Sequence, residues 1–268
     1  MVAAAVLLLV ERGRLGLDDD LRKHLPGLPA FHPDRPVRVR DLLQHTSGLR
    51  DYLTLLPRWN GPREDFGDAD LIALLRDAEL RNVPGARCLF SNSNYRLAGM
   101  LVERVSGRPL GELLTEEMFR PLGMAATRLG GPAATVGFEP RPGGGFRPAA
   151  AMVRAGGDAG IWTTAEDMIR WEDALAGGRL LRRETWAAVW APGRRDDGGA
   201  TRYGLGWKIL RDPPHGLTAR HDGSWEGFRA HHLRMIDHRV SVVVLSNNGG
   251  LDAAALADQV ADTRLPPR

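Results

Sequence analysis

The sequence predicts an α+β fold: a mostly helical stretch, residues 1–200, followed by antiparallel strands and a closing helix, residues 201–268. Three observations carry that reading. Apolar side chains recur at helical spacing through the first stretch, and the texture changes to strands from about Tyr203. The short turn Ile236-Asp237-His238-Arg239 then joins two consecutive strand-like runs, which requires antiparallel pairing.

Each element follows from local chemistry. Met1 to Val10 is an apolar run that, as a helix, would show apolar side chains on every side, which is tolerable only inside other protein. It is too short to span a bilayer, lacks a basic leader and passes directly into Glu11-Arg12, so it reads as neither membrane segment nor signal peptide. Gly13 and Gly16 stop it, Asp18 to Asp20 cap a further short turn, and prolines 26, 29, 33 and 36 enforce an extended crossing. Arg40 to Gln44 is a short helix ended by the turn His45-Thr46-Ser47-Gly48. Helices are expected over Asp68–Leu80, Tyr95–Val105 and Leu110–Phe119, and after the Gly- and Pro-rich loop 130–148 again over Thr164–Ala176 and Arg183–Val189. Strands follow at Tyr203–Leu210, Arg220–Gly223, Phe228–Met235 and Val240–Leu245, and Leu251–Val260 closes the chain as a helix.

Composition narrows the function classes. The 268 residues are 43% hydrophobic and 26% charged, enough apolar material for a substantial core. The lone Cys88 cannot form an internal disulfide and reads as a free buried thiol. The net charge is only +3, and the arginines are scattered among Asp and Glu without an aromatic-interleaved basic stripe, so no nucleic-acid partner is expected. Neither G-x-G-x-x-G, G-x-x-x-x-G-K, H-E-x-x-H nor G-x-S-x-G occurs. His231-His232 cannot readily hold one metal, since neighbours on a strand point to opposite faces; no metal and no cofactor are expected.

Five segments, in order, carry the informative signal. They are Arg40-Asp41-Leu42-Leu43-Gln44-His45-Thr46-Ser47-Gly48-Leu49; Leu89-Phe90-Ser91-Asn92-Ser93-Asn94-Tyr95 with Leu97-Ala98-Gly99; Ala155-Gly156-Gly157-Asp158-Ala159-Gly160-Ile161-Trp162-Thr163-Thr164-Ala165-Glu166-Asp167; Tyr203-Gly204-Leu205-Gly206-Trp207; and Arg220-His221-Asp222-Gly223 with Gly227-Phe228. Together they resemble the serine β-lactamase-like hydrolases, which include class C β-lactamases, penicillin-binding D,D-peptidases and related esterases. The resemblance runs from Met1 to about Asn248. It implies a β-lactamase/transpeptidase-like fold, a helical domain packed on an antiparallel sheet.

It also implies a chemistry. A serine hydroxyl needs a base, which the family supplies as S-x-x-K on one helix face. A Y-x-N loop shares the proton traffic and orients the substrate, and an H-x-G strand supplies a wall and an oxyanion donor. By that resemblance Asn92 is the Asn of the second motif, His221 and Gly223 match the third, and the Ser224 backbone N–H is the oxyanion donor. The substrate would be a small molecule or peptide carrying an amide or ester.

Two departures follow. Phe90 stands at the Tyr position, with a ring but no hydroxyl to carry a proton. S-x-x-K is absent, because the only lysines are Lys23 and Lys208, and Asp20 and Leu205 stand where the serine would be. In the family the apolar helix follows the lysine almost at once, so the expectation is that nucleophile, lysine and the first strands of the sheet lie ahead of Met1. Ser47 reads as structural, and Ser91 and Ser93 have no evident base. The competing expectation, motivated by Phe90, is a non-catalytic protein that keeps the cleft for binding.

Overall fold

The computed structural model describes residues 1–61, 65–132, 135–149 and 156–265. Its helices are α1 (Val2–Glu11), α2 (Leu21–His24), α3 (Val39–Leu43), α4 (Tyr52–Leu55), α5 (Asp68–Arg76), α6 (Asn92–Ser106), α7 (Leu110–Leu114), α8 (Ala165–Gly177), α9 (Arg183–Val189) and α10 (Ala253–Asp262). The strands are β1 (Arg128–Leu129), β2 (Phe138–Pro140), β3 (Phe146–Pro148), β4 (Ile161–Trp162), β5 (Lys208–Asp212), β6 (Gly216–Trp225), β7 (Phe228–Met235) and β8 (Val240–Ser246). β5 to β8 form one antiparallel sheet in sequence order. The α+β class predicted from the sequence is the one observed.

The all-apolar helix α1 is buried from Val2 to Leu9, at the centre of a core shared with α3, α6 and α7. Transfer of that surface from water is the main force that fixes the helix. A smaller cluster of Leu233, Met235, Val242, Ala257 and Ala261 glues α10 to the outer face of the sheet. On the inner face, Glu172 of α8 takes His232 at 2.6 Å and also pairs with Arg234 and Ser241, so one carboxylate ties three sheet side chains to a helix. β8 is an edge of this sheet, and its Leu245 is 41% exposed.

Three elements differ from expectation near the site. The strand expected from Tyr203 forms only at Lys208, because Gly206 takes φ +96° and turns the chain against α1; a Cβ there would lie 2.8 Å from the Ala3 methyl. The strand expected over Arg220–Gly223 runs instead from Gly216 to Trp225, since pairing with β7 holds all of it. α6 begins three residues early, at Asn92, because Asp51 accepts the Asn92 N–H at 3.0 Å and satisfies an otherwise open end. Cys88 is half-buried, not buried, with Sγ 3.4 Å from the Gln44 carbonyl oxygen.

Candidate active site

The turn that follows α3 is held by its own side chains. Asp41 accepts the Arg38 N–H at 2.9 Å and the Thr46 hydroxyl at 2.7 Å, and Ser47 donates to Asn94 of α6. His45 is thereby fixed in the left-handed region at φ +56°, a strained choice for a residue with a Cβ. Its Nδ1 lies 2.9 Å from Asn94 Nδ2 and 3.2 Å from the Ser91 backbone nitrogen. A backbone N–H can only donate, so Nδ1 is the acceptor and Nε2 carries the proton. That Nε2 is buried and has no hydrogen-bond partner among the described residues. Burial pushes the imidazole down to about 3, with the neighbouring His221 adding to the effect, so His45 stays neutral.

Three aromatic rings surround it. Phe90 and Tyr203 each lie 4.5 Å from the His45 ring and Tyr95 lies 5.2 Å away. The Phe90 ring is 49% exposed. The Tyr95 hydroxyl, from the first turn of α6, donates to the Leu43 carbonyl oxygen at 3.1 Å.

His221 approaches from the sheet. The β6–β7 register pairs it with His232, and pairs Asp222 with His231. Alternation sends His232 to Glu172 on the inner face, and His231 to Asp222 on the face where Arg220 meets Asp258 of α10. The adjacent histidines therefore serve opposite faces, as predicted. His221 Nδ1 is 2.8 Å from the Asp222 carbonyl oxygen and Nε2 is 2.9 Å from the Tyr203 hydroxyl. Desolvation lowers its pKa to about 4, and the positive amino terminus of the chain pushes in the same direction.

The remaining sequence-predicted residues take these places. Asn92 sits in the first turn of α6 with Nδ2 donating to Asp51 Oδ2 at 2.7 Å, which leaves its amide oxygen without a partner among the described residues. Gly223 and Ser224 are exposed and paired with Ala230 and Arg229 of β7. The β5–β6 register ends at Lys208 and Arg220, so His221 to Ser224 run past the end of β5. Of the third of the five segments, Ala155 lies outside the described residues; Gly157 packs on α6 so closely that a Cβ would meet the Tyr95 carbonyl oxygen at 2.0 Å. Asp158 accepts from the Tyr52 hydroxyl at 2.8 Å, and burial raises its carboxyl.

The structure thus links Phe90 to His221 through His45 and Tyr203. Sequence reasoning quoted those two linking residues inside their motifs but gave them no role, and it passed over Asp51. Among the described residues no serine hydroxyl is bonded to a lysine or a histidine: Ser47 donates to Asn94, Ser93 to the Arg50 carbonyl, and Ser91 Oγ is buried without a partner. Lys23 and Lys208 are paired with Asp19 and Asp222. Among the described residues there is also no cluster of metal-ligating groups and no helix long and apolar enough to cross a membrane.

Comparison with known proteins agrees with this architecture. The family model described as Beta-lactamase matches residues 1–265. Penicillin-binding protein 4* of Bacillus subtilis (strain 168) is 26% identical, with 91% of this chain and 58% of the relative covered. D-aminopeptidase of Gluconobacter oxydans (strain 621H) is 32% identical, with 90% and 46% covered. The chain thus spans about half the length of the curated relatives it matches. The crystal structure of a penicillin-binding protein from Bacillus halodurans superposes with a TM-score of 0.83 at 25% identity, covering 98% of this chain and 82% of that one. The chain belongs to the Beta-lactamase family, within the serine β-lactamase/transpeptidase superfamily.

Proposed function

We propose that these residues form the substrate-binding walls of an acyl-serine hydrolase that acts on an amide or ester, with the Ser-x-x-Lys pair supplied by sequence ahead of Met1. The contact series Phe90–His45–Tyr203–His221 carries the reading, because it brings the Phe90-Ser91-Asn92 loop and the His221-Asp222-Gly223 strand to one place. In this reading Asn92 offers its amide oxygen to the substrate, Phe90 is an aromatic floor, His221 and Gly223 line the strand side, and the Ser224 N–H stabilises the oxyanion. Gly206 packs on Ala3 of α1, where a Cβ would lie 2.8 Å from the Ala3 methyl, which sets the start of α1 beside the segment that carries Tyr203. The names of the D-aminopeptidase relatives make amides of D-amino acids the first substrates to try.

One observation favours a second reading, a non-catalytic protein that keeps the cleft for binding. Phe90 lacks the hydroxyl that proton transfer at this position needs, and no addition ahead of Met1 supplies one there. The two readings separate in one experiment. The codons before Met1 are translated, and a protein carrying any in-frame Ser-x-x-Lys is treated with a penicillin and with an activated ester. A stoichiometric acyl adduct that disappears on Ser→Ala supports the hydrolase; in-frame stops, or an inert extended protein, support the binding protein.

A further inference from the structure

We propose that Tyr203 is the positioning residue of His221: its hydroxyl occupies Nε2, so the imidazole stands in the cleft as a fixed wall and not as a proton acceptor. The inference rests on the hydrolase reading of the site but is tested without activity. The hydrogen-bond directions follow from the partners. The group facing His221 Nδ1 is the Asp222 carbonyl oxygen at 2.8 Å, which can only accept, so Nδ1 carries the ring proton. Nε2 then presents a lone pair, and the Tyr203 hydroxyl at 2.9 Å donates to it. The reverse assignment would set Nε2–H against the tyrosine and leave Nδ1 and a carbonyl oxygen as two acceptors in contact.

Tyr203 is held for that task. It is 4% exposed, its ring meets the edge of His45, and its backbone carbonyl accepts from the Gly193 N–H at 3.1 Å and from the Thr201 hydroxyl at 2.7 Å. Burial raises its phenol well above the ordinary value, so it remains a donor wherever the protein is folded. The ring of Phe90 carries no hydroxyl, and the hydroxyl that Tyr203 brings to the other contact of His45 is spent on His221. With that lone pair covered, the base that activates a nucleophile in this cleft is a group other than His221.

Imidazole tautomers read by long-range ¹H–¹⁵N NMR, together with acylation by diethyl pyrocarbonate at an unprotonated ring nitrogen, test this in the wild type and Tyr203→Phe. The expected wild-type spectrum shows His221 protonated at Nδ1 with Nε2 in a hydrogen bond. Tyr203→Phe loses that Nε2 signature and acylates at His221 about three- to tenfold faster, the factor one neutral hydrogen bond is worth. A wild-type His221 protonated at Nε2, or equal acylation rates in a folded Tyr203→Phe, overturns the proposal. If Tyr203→Phe does not fold, the wild-type tautomer alone decides. A chain inert to acylating substrates can still give the expected spectrum, so failure of the hydrolase reading is seen separately.

Discussion

Asn92 and Asp51 are joined twice through one oxygen: Asp51 Oδ2 accepts the Asn92 backbone N–H at 3.0 Å and its side-chain Nδ2 at 2.7 Å. The other oxygen of Asp51 accepts the Leu53 N–H at 3.0 Å and caps α4. One carboxylate thus starts two helices and aims the amide of the Phe90-Ser91-Asn92 loop.

Removing it by Asp51→Ala is expected to cost about 2 kcal/mol, the sum of a lost N-cap and a lost charge-assisted hydrogen bond. Asp51→Asn keeps the acceptor oxygen for one partner and should cost less. Urea unfolding of the two variants checks the order; equal midpoints for Asp51→Ala and wild type would contradict it.

Glu172 is the second such point. Its carboxylate is 15% exposed and holds His232, Arg234 and Ser241, and those partners lower its pKa against the opposing desolvation. Glu172→Ala leaves a mostly buried guanidinium without its carboxylate and should cost about 3–5 kcal/mol. The measurement is a denaturant midpoint, with Glu172→Gln expected to fall between the two. A Glu172→Ala midpoint equal to that of the wild type would show that α8 docks by apolar contact alone.

Acid sensitivity follows from His45 and His221. Their folded pKa values, about 3 and about 4, lie below the ordinary histidine value of 6.5. The unfolded chain therefore binds more protons than the folded one between those limits, and stability falls as pH drops from 6.5 towards 4. Each histidine contributes a slope of up to about 1.4 kcal/mol per pH unit. Asp41 and Asp158, raised by burial, act in the opposite sense near the acidic end. Unfolding free energies between pH 7 and pH 4 should show the decline, and His45→Asn should flatten it; an unchanged slope in that variant would assign the acid sensitivity elsewhere.

The sequence displayed some parts of this fold better than others, and the reason is the range of the interactions. β7 and the turn into β8 were legible because alternation and a turn tetrapeptide are local signals. The start of α6 was not, since Ser91, Asn92 and Asn94 look like turn residues until Asp51, forty-odd positions away, caps them. The site divides in the same way. Phe90, Asn92, His221, Gly223 and Ser224 are proposed from motif order alone, whereas the contacts of His45 and Tyr203 arise from rings brought together across the chain. A tyrosine heading Tyr-Gly-Leu-Gly-Trp gives no sign that its hydroxyl ends on an imidazole.

Phe90→Tyr tests whether position 90 itself limits chemistry. The ring is half-exposed, so the added hydroxyl should change stability by less than about 0.5 kcal/mol. In a protein extended to carry Ser-x-x-Lys, it should raise the acylation rate at least about tenfold if proton transfer through this position is limiting. An unchanged rate would mean that another group already moves the proton.

The central claim is that these residues hold the walls of an acyl-transfer site without its nucleophile. Intact-protein mass spectrometry of the 268-residue chain, after exposure to a penicillin and to an activated ester, tests it most directly. The account predicts an unshifted mass. A stoichiometric adduct mapped to a serine of this chain would contradict it.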